Sequence, residues 1–338
     1  MIVLTGGAGF MGRTVAQLLL QQGRSVRVLD VQPWPDRPNE IELIEGSVDN
    51  PTALQLALRG GVEGVIHLGA LSSLWQPQPE EFQRINARGA ELAAQTAKAA
   101  GVGRFVYVSS HTTLISGPPK QPPLLLNEET FAPPGALLGA YPRSKREGER
   151  AVLALNGPGF AAISAIPTLP IGPGDVSRTA PTRLLLDLAR GKLPALLETS
   201  MNFIDVRDLA LGLVRALEQG RPGERYLLSG HDVRLSEVAA QVARAVRRVR
   251  VLARVSYPLA LTAAYVQEVM AGISGTPPEA PVTGVKLAGR WVEFNNAKAR
   301  DELGLEVRPF SESLADFLEW ARQEKLIKRG RAATRRSP

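Results

Sequence analysis

The sequence predicts an α/β protein: a doubly wound parallel sheet with a smaller, mainly helical C-terminal domain beside it. Three observations carry this. Over the first 110 residues, short β-branched apolar runs alternate with helical stretches. Those runs are continuous rather than alternating, which marks strands covered on both faces and hence a parallel sheet between helices. The first run leads directly into a glycine-rich turn that opens a helix.

The elements follow in order. Residues 2–4 read as a buried strand, 14–22 as a helix and 25–29 as a strand. A helix over 51–59, a strand over 63–68, a helix over 80–100 and a strand over 104–109 come next. Right-handed crossovers then wind the sheet in both directions from its centre. The proline-rich stretch 116–136 reads as a surface loop without helix or strand. A helix over 141–155, strands over 161–167 and 225–228 and a helix over 208–219 complete the larger unit. Residues 168–200 and 231–326 read as helices and loops forming a cap. The expected division is therefore 1–167 plus 201–230 for the sheet domain, 168–200 plus 231–326 for the cap, and 327–338 for a basic tail.

Composition narrows the class. The chain has 338 residues, 44% apolar and 22% charged, which is globular rather than disordered. It has no cysteine, which excludes disulfides, thiolate metal sites and a cysteine nucleophile, and which fits a cytoplasmic location. No run of about 18 apolar residues suggests a membrane span, and the N-terminus lacks a basic leader pattern. The net charge of +7 is concentrated at one end: six basic residues and no acid lie from Lys325 onward. Without them 34 basic residues face 33 acids, a net of +1, so no nucleic-acid partner is expected. A second cluster, Arg244, Arg247, Arg248 and Arg250, suits the negative end of a helix and lacks interleaved aromatics.

Two constellations carry chemistry. After the first strand comes Thr5-Gly6-Gly7-Ala8-Gly9-Phe10-Met11-Gly12. In a strand–turn–helix setting Gly6 permits the tight turn, Gly9 a close backbone approach to a pyrophosphate, and Gly12 close helix–strand packing. Asp30 follows at the end of the second strand, placed to accept hydrogen bonds from adenosine ribose hydroxyls. A carboxylate there repels a 2′-phosphate, which favours NAD over NADP, with Arg37 nearby in sequence keeping NADP as the alternative. The second constellation is Ser109-Ser110 at a strand's carboxyl end, followed by Tyr141-Pro142-Arg143-Ser144-Lys145. Tyrosine and lysine four apart share a helix face. A neighbouring ammonium is expected to lower the phenol's pKa from about 10, making it an acid–base near working pH. With only His67, His111 and His231 present, no metal cluster is expected. His67 reads as a core residue, and Asp205 and Asp208 as structural, capping the helix that follows.

With these motifs in place, the sequence resembles the extended short-chain dehydrogenase/reductases, which share a Rossmann fold. Further matching segments are His67-Leu68-Gly69-Ala70, Asn86, Tyr107-Val108-Ser109-Ser110, Gly172-Pro173-Gly174-Asp175 and Phe203-Ile204-Asp205-Val206-Arg207-Asp208-Leu209. The resemblance implies catalysis by Ser110, Tyr141 and Lys145, with Ser109 and Thr112 as alternatives to Ser110. It implies an NAD site on Gly6, Gly9, Phe10, Met11, Gly12, Asp30, Ser47, Val48, Leu68, Gly69, Ala70 and Asn86. Tyr141 and Lys145 join that site, Lys145 holding the nicotinamide ribose, and Pro167 meets the nicotinamide by backbone. It implies too a homodimer formed through the helices over 80–100 and 141–155. The branches most alike are the dihydroflavonol-reductase-like, 3β-hydroxysteroid-dehydrogenase-like and hopanoid-associated sugar-epimerase groups. Many nucleotide-sugar epimerases carry an arginine where this chain has Met201, and a thioether cannot pair with a diphosphate. Lys192, Lys286 and Arg290 remain as other clamps. The apolar segments Pro258-Leu259-Ala260-Leu261 and 266–270 suggest a fairly apolar small-molecule substrate, with Trp75, His111 and Met201 as candidate contacts and Tyr257 and Tyr265 as further pocket aromatics. The expected activity is ketone–alcohol interconversion; the alternatives are a sugar-nucleotide epimerase or dehydratase with tightly held NAD, and a non-catalytic NAD-binding protein.

Overall fold

The computed structural model describes residues 1–117, 123–246 and 253–328. Seven parallel strands form the central sheet in the order Arg225–Leu228, Ala161–Pro167, Arg104–Val108, Gly64–His67, Ile2–Thr5, Val26–Asp30, Ile41–Glu45. The chain thus runs outward in one direction from Ile2–Thr5 and then returns to build the other half, so a crevice opens beside the first strand's carboxyl end.

Why the strands read as continuous apolar runs is visible in their neighbours. Ile2 and Leu4 face one core with Val15 and Leu19 of helix Phe10–Gln21 and Leu209 and Leu213 of helix Val206–Gln219. Val3 faces the opposite core with Leu54, Ala90, Ala94 and Phe105. Each face is covered, so neither parity of the strand can be polar. On the second face, alanines at 90, 93, 94 and 97 let helix Ala90–Ala99 lie close to the sheet.

The structure departs from the sequence reading at several points. The edge strand Ile41–Glu45 was not anticipated; its mixed polarity follows from having only one strand neighbour. The proline-rich segment is not all loop, because Leu124–Leu126 pairs in parallel with Val292–Phe294 and Pro134–Ala136 forms a 3-10 turn. The first helix starts at Phe10, directly on the glycine turn. The helix expected over 80–100 contains a wide π segment, Gln83–Gly89, which carries Asn86. The segments expected to form the cap hold strands as well as helices: His231–Arg234 and Leu169–Ile171 flank Ser200–Asp205 in a small sheet, and Ala195–Leu196 pairs with Ala253–Arg254. Of the second basic cluster only Arg244 lies within the described residues, as do only Lys325 and Lys328 of the C-terminal one.

Candidate active site

The crevice begins at the glycine turn. Gly6 takes a left-handed φ of +69°, and a Cβ there would lie 2.7 Å from the amide nitrogen of Gly69. The two turns after neighbouring strands therefore touch backbone to backbone. At Gly12 a Cβ would come within 2.5 Å of Gly7 Cα, so helix and turn pack without side chains between them. Gly9 differs: a Cβ there would meet only Gly6 O, at 3.4 Å. No neighbouring atom of the chain demands a glycine at that position, which leaves its bare surface to whatever approaches from outside. The helix behind it has no acid in its first turn and no side-chain cap, so its free N–H groups present positive potential to an anion. Asp30 is buried, with Oδ2 accepting from the Ala8 amide at 2.9 Å and Oδ1 from Gln32 at 2.8 Å. Each oxygen keeps a lone pair for a ribose hydroxyl. These features fit a dinucleotide. Arg37 donates to the carbonyls of Ile41 and Trp34, while Arg13 lies over the Trp34 ring, 4.9 Å from its centroid.

The wall of the crevice is held by side-chain to backbone bonds. Thr5 Oγ1 accepts from Gly69 N at 3.2 Å and lies 2.9 Å from His67 Nδ1. His67 stacks between Phe105 and Tyr107, and burial pushes its pKa down to about 3, so it is neutral. Val48 packs where a Cβ on Gly69 or Gly89 would stand, fixing the turn after Gly46 and Ser47 against both. Asn86 is 1% exposed; its Oδ1 accepts from Leu71 N at 2.7 Å and its Nδ2 donates to Leu71 O and Ser144 Oγ, both at 3.1 Å. That one amide ties the loop after Leu68-Gly69-Ala70 to the helix bearing Tyr141 and Lys145. Close approach there depends on Gly148, where a Cβ would strike Asn86 O at 2.4 Å.

Helix Ala140–Leu153 presents Tyr141 and Lys145 on its buried face. Ser110, just past strand Arg104–Val108, has its Oγ 3.0 Å from Thr112 Oγ1, and its hydroxyl favours the charged form of the Tyr141 phenol. Of the three candidate hydroxyls, those of Ser110 and Thr112 lie against each other, and Ser109 Oγ is buried with no hydrogen-bond partner. Lys145 Nζ donates to Val108 O at 2.7 Å and sits 4.4 Å from the centre of the Tyr107 ring. Burial pushes the lysine down to about 7, with the Glu149 charge opposing. The expectation that Lys145 depresses the tyrosine is corrected. Burial raises the Tyr141 pKa above its ordinary value, the Ser110 hydroxyl only partly offsetting it. The reason is geometric and electrostatic: the ammonium points at Val108 O and is itself only partly charged near neutral pH.

Sequence reasoning missed Glu149. It is fully buried, accepts from Ser164 Oγ at 2.6 Å and pairs with Arg225 at 3.1 Å and with Arg146. The signal was present, because 141, 145 and 149 follow one helix face at intervals of four. Two structural readings hold: Asp205 accepts from Arg207 N at 2.9 Å as a helix cap, and Asp208 pairs with Arg308 at 2.7 Å.

The candidate substrate contacts are placed unevenly. His111 lies beside the centre, its Nδ1–H donating to Pro167 O at 3.2 Å and its ring edge-on to Phe294; burial holds its pKa down to about 4. Trp75 is half-buried on the loop that Asn86 anchors. Met201 packs against a separate apolar core with Leu196, Phe203 and Val233. Arg290 donates to Gly117 O and Lys286 O, and Lys286 lies over the Tyr265 ring. Tyr265, Val266, Val269 and Met270 are exposed rather than lining a pocket. Leu114, Ile115, Ile166 and Leu227, with Leu138 and Leu287 packed against them, form a buried apolar cluster that supports the Ser110 segment. No group of histidines and acids able to hold a metal ion occurs among the described residues, and no described helix is long and apolar enough to cross a membrane.

Comparison with known proteins identifies the family. Residues 2–229 match the profile of the NAD dependent epimerase/dehydratase family. A Synechocystis sp. protein bearing a dihydroflavonol 4-reductase name is 31% identical over 333 residues, covering 96% of this chain and 95% of the relative. The 4-hydroxy-2-methyl-3-oxo-4-farnesyl-3,4-dihydroquinoline-1-oxide ketoreductase of Stigmatella aurantiaca is 29% identical over 315 residues, covering 89% and 90%. The crystal structure of gox2253 superposes with a TM-score of 0.83 at 31% identity, covering 97% of this chain and 99% of that one. The chain belongs to the NAD dependent epimerase/dehydratase family, within the extended short-chain dehydrogenase/reductases, and is an NAD-dependent enzyme.

Proposed function

We propose that this family member interconverts a ketone and a secondary alcohol on a fairly apolar organic substrate, with NAD(H) as an exchanging cofactor. One observation carries the reading: Tyr141 and Lys145 stand one turn apart on a helix packed at a strand's carboxyl end, Lys145 Nζ donating to Val108 O at 2.7 Å with Ser110 two residues further along. The cofactor would rest on Gly6, Gly9 and Gly12, with Asp30 toward the adenosine ribose. Bound NAD(H) supplies the hydride, a two-electron step no side chain here can perform. In the reducing direction Tyr141 gives its phenolic proton to the substrate oxygen as that oxygen gains charge. Ser110 donates a hydrogen bond to the same oxygen and orients it. Lys145, its Nζ held by Val108 O, would hold the nicotinamide ribose. In the oxidising direction the phenolate takes the alcohol proton back.

The ketoreductase relative named for a farnesylated substrate supports an apolar substrate. A homodimer built on the helices within 80–99 and 140–153 is part of the same reading, as is the division into a cofactor part and a substrate cap. The test is Tyr141→Phe assayed for NADH-dependent reduction of a panel of apolar ketones. Turnover is expected to fall by about 10²–10⁴-fold, with NADH affinity unchanged. Near-normal turnover would remove Tyr141 from the chemistry.

A further inference from the structure

Helix Tyr257–Ser274 is unlike any other among the described residues. Its 18 residues contain one charged side chain, Glu268, and that carboxylate is turned inward to accept from Val282 N at 2.7 Å. A helix that is apolar all round is ordinarily buried. Here only Ala264 and Ala271 are buried. One face packs on Val282 and Val285 of helix Val282–Ala288. The other shows Leu259, Val266, Val269, Met270 and Ile273 to the outside, between 58% and 80% exposed. Positions 259, 266 and 273 are spaced by seven, with 269 and 270 between them, so these side chains form one continuous stripe along the helix. Monomeric soluble proteins rarely leave a stripe of this kind open unless it binds something.

The surroundings say what it binds. Among the described residues between 244 and 290 stand four basic ones, Arg244, Arg254, Lys286 and Arg290, and two acids, Glu279 and the inward-turned Glu268. Arg254, three residues before the helix, remains 78% exposed although it reaches Glu198 at 3.7 Å, and Arg244 is also exposed. Lys286 lies over Tyr265, an aromatic 48% exposed at the margin of the stripe. An apolar stripe edged by cations and a half-exposed tyrosine complements the boundary between acyl chains and anionic headgroups. No described helix can span a bilayer, so the contact would be peripheral. We infer that Tyr257–Ser274 lies in the surface of an anionic lipid membrane. It also stands one layer from the candidate centre. The helix it packs on, Val282–Ala288, meets Gly139 through Thr283 and Leu74 through Gly284, and Gly139 directly precedes the helix bearing Tyr141. Resting on the functional reading above, the inference adds its substrate class: a membrane-dissolved lipid ketone or alcohol, taken up on the cap side.

The test is flotation of the purified full chain with vesicles of phosphatidylcholine alone, or of three parts phosphatidylcholine to one of phosphatidylglycerol, at low and high salt. Binding to the anionic vesicles is expected, several-fold tighter than to neutral ones and weakened by salt. Val266→Asp and Ile273→Asp should each reduce partitioning by about tenfold or more, and Arg254→Glu should weaken only the anionic preference. Circular dichroism and NADH binding should be unchanged in all three, so loss of vesicle binding is read separately from any failure of the ketone–alcohol assignment. Absence of flotation with either vesicle overturns the inference, as does equal flotation by the Asp variants. A wild-type dimer in light scattering that Val266→Asp converts to monomer overturns it too, assigning the stripe to a second copy of the chain.

Discussion

Two helices of this chain invert each other's logic. Ala140–Leu153 buries charge: Lys145, Arg146 and Glu149 all lie inside, each with a named partner. Tyr257–Ser274 exposes hydrocarbon and turns its one charge inward. Both arrangements are costly in isolation, since a buried charge loses hydration and an exposed apolar side chain orders water. The first cost is offset within the molecule, by Val108 O, Ser164, Arg225 and the Tyr107 ring. The second is not offset within the described chain, which is why the first helix reads as chemistry and the second as a surface awaiting contact.

The comparison can be broken in order of expected effect. Replacing Tyr141 by Phe should take about 10²–10⁴ from turnover and leave urea unfolding close to wild type, because the phenol's exposed reaction partner lies outside the protein. Replacing Glu149 by Ala strands Arg146 and Arg225 in the interior, and equilibrium urea unfolding should show a loss of about 3 kcal/mol or more. If Glu149→Ala is nearly neutral, the buried network is not what anchors the catalytic helix. Gly148→Ala should destabilise by about 1–3 kcal/mol, because its Cβ meets the Asn86 carbonyl rather than a side chain that can move. At the other helix, Leu259→Asp or Val266→Asp should change unfolding by no more than about 0.5 kcal/mol. A loss of several kcal/mol there would mean that the stripe is covered within the folded chain.

Protonation gives a further contrast. His67 is held down to about 3 and His111 to about 4, against an ordinary 6.5. Below 6.5 the unfolded chain therefore binds protons that the folded chain refuses, and stability falls as pH drops toward 3. Lys145, at about 7 against 10.5, acts in the same sense at higher pH, so its contribution grows more favourable from 7 toward 10.5. Unfolding midpoints measured across pH should show both trends, and His67→Phe should shallow the acid limb. An acid limb unchanged in that variant would place the titrating groups elsewhere.

What was legible in the sequence was what local sterics and short spacing fix. The glycine turn, Asp30 and the Tyr141/Lys145 pair each sit within one strand–turn–helix unit or one helix, and the structure puts them where the spacing implied. Partners set by long-range pairing were not legible. Leu124–Leu126 is a strand only because Val292–Phe294 lies beside it. Lys145 faces Val108 O because a separate strand ends there, and burial raises the Tyr141 pKa instead of a nearby ammonium lowering it. The apolar character of 258–270 was plain, but composition does not say which way a helix face points; the outward stripe could be read only once its neighbours were in place.

The most direct test of the exchanging-reductase reading is the nucleotide released when the purified protein is denatured, followed by titration of the emptied protein with NADH and NADPH. The account predicts far less than one nucleotide per chain and tighter uptake of NADH than of NADPH. One NAD⁺ per chain that cannot be exchanged would contradict it, and would point to a cofactor reduced and reoxidised in place.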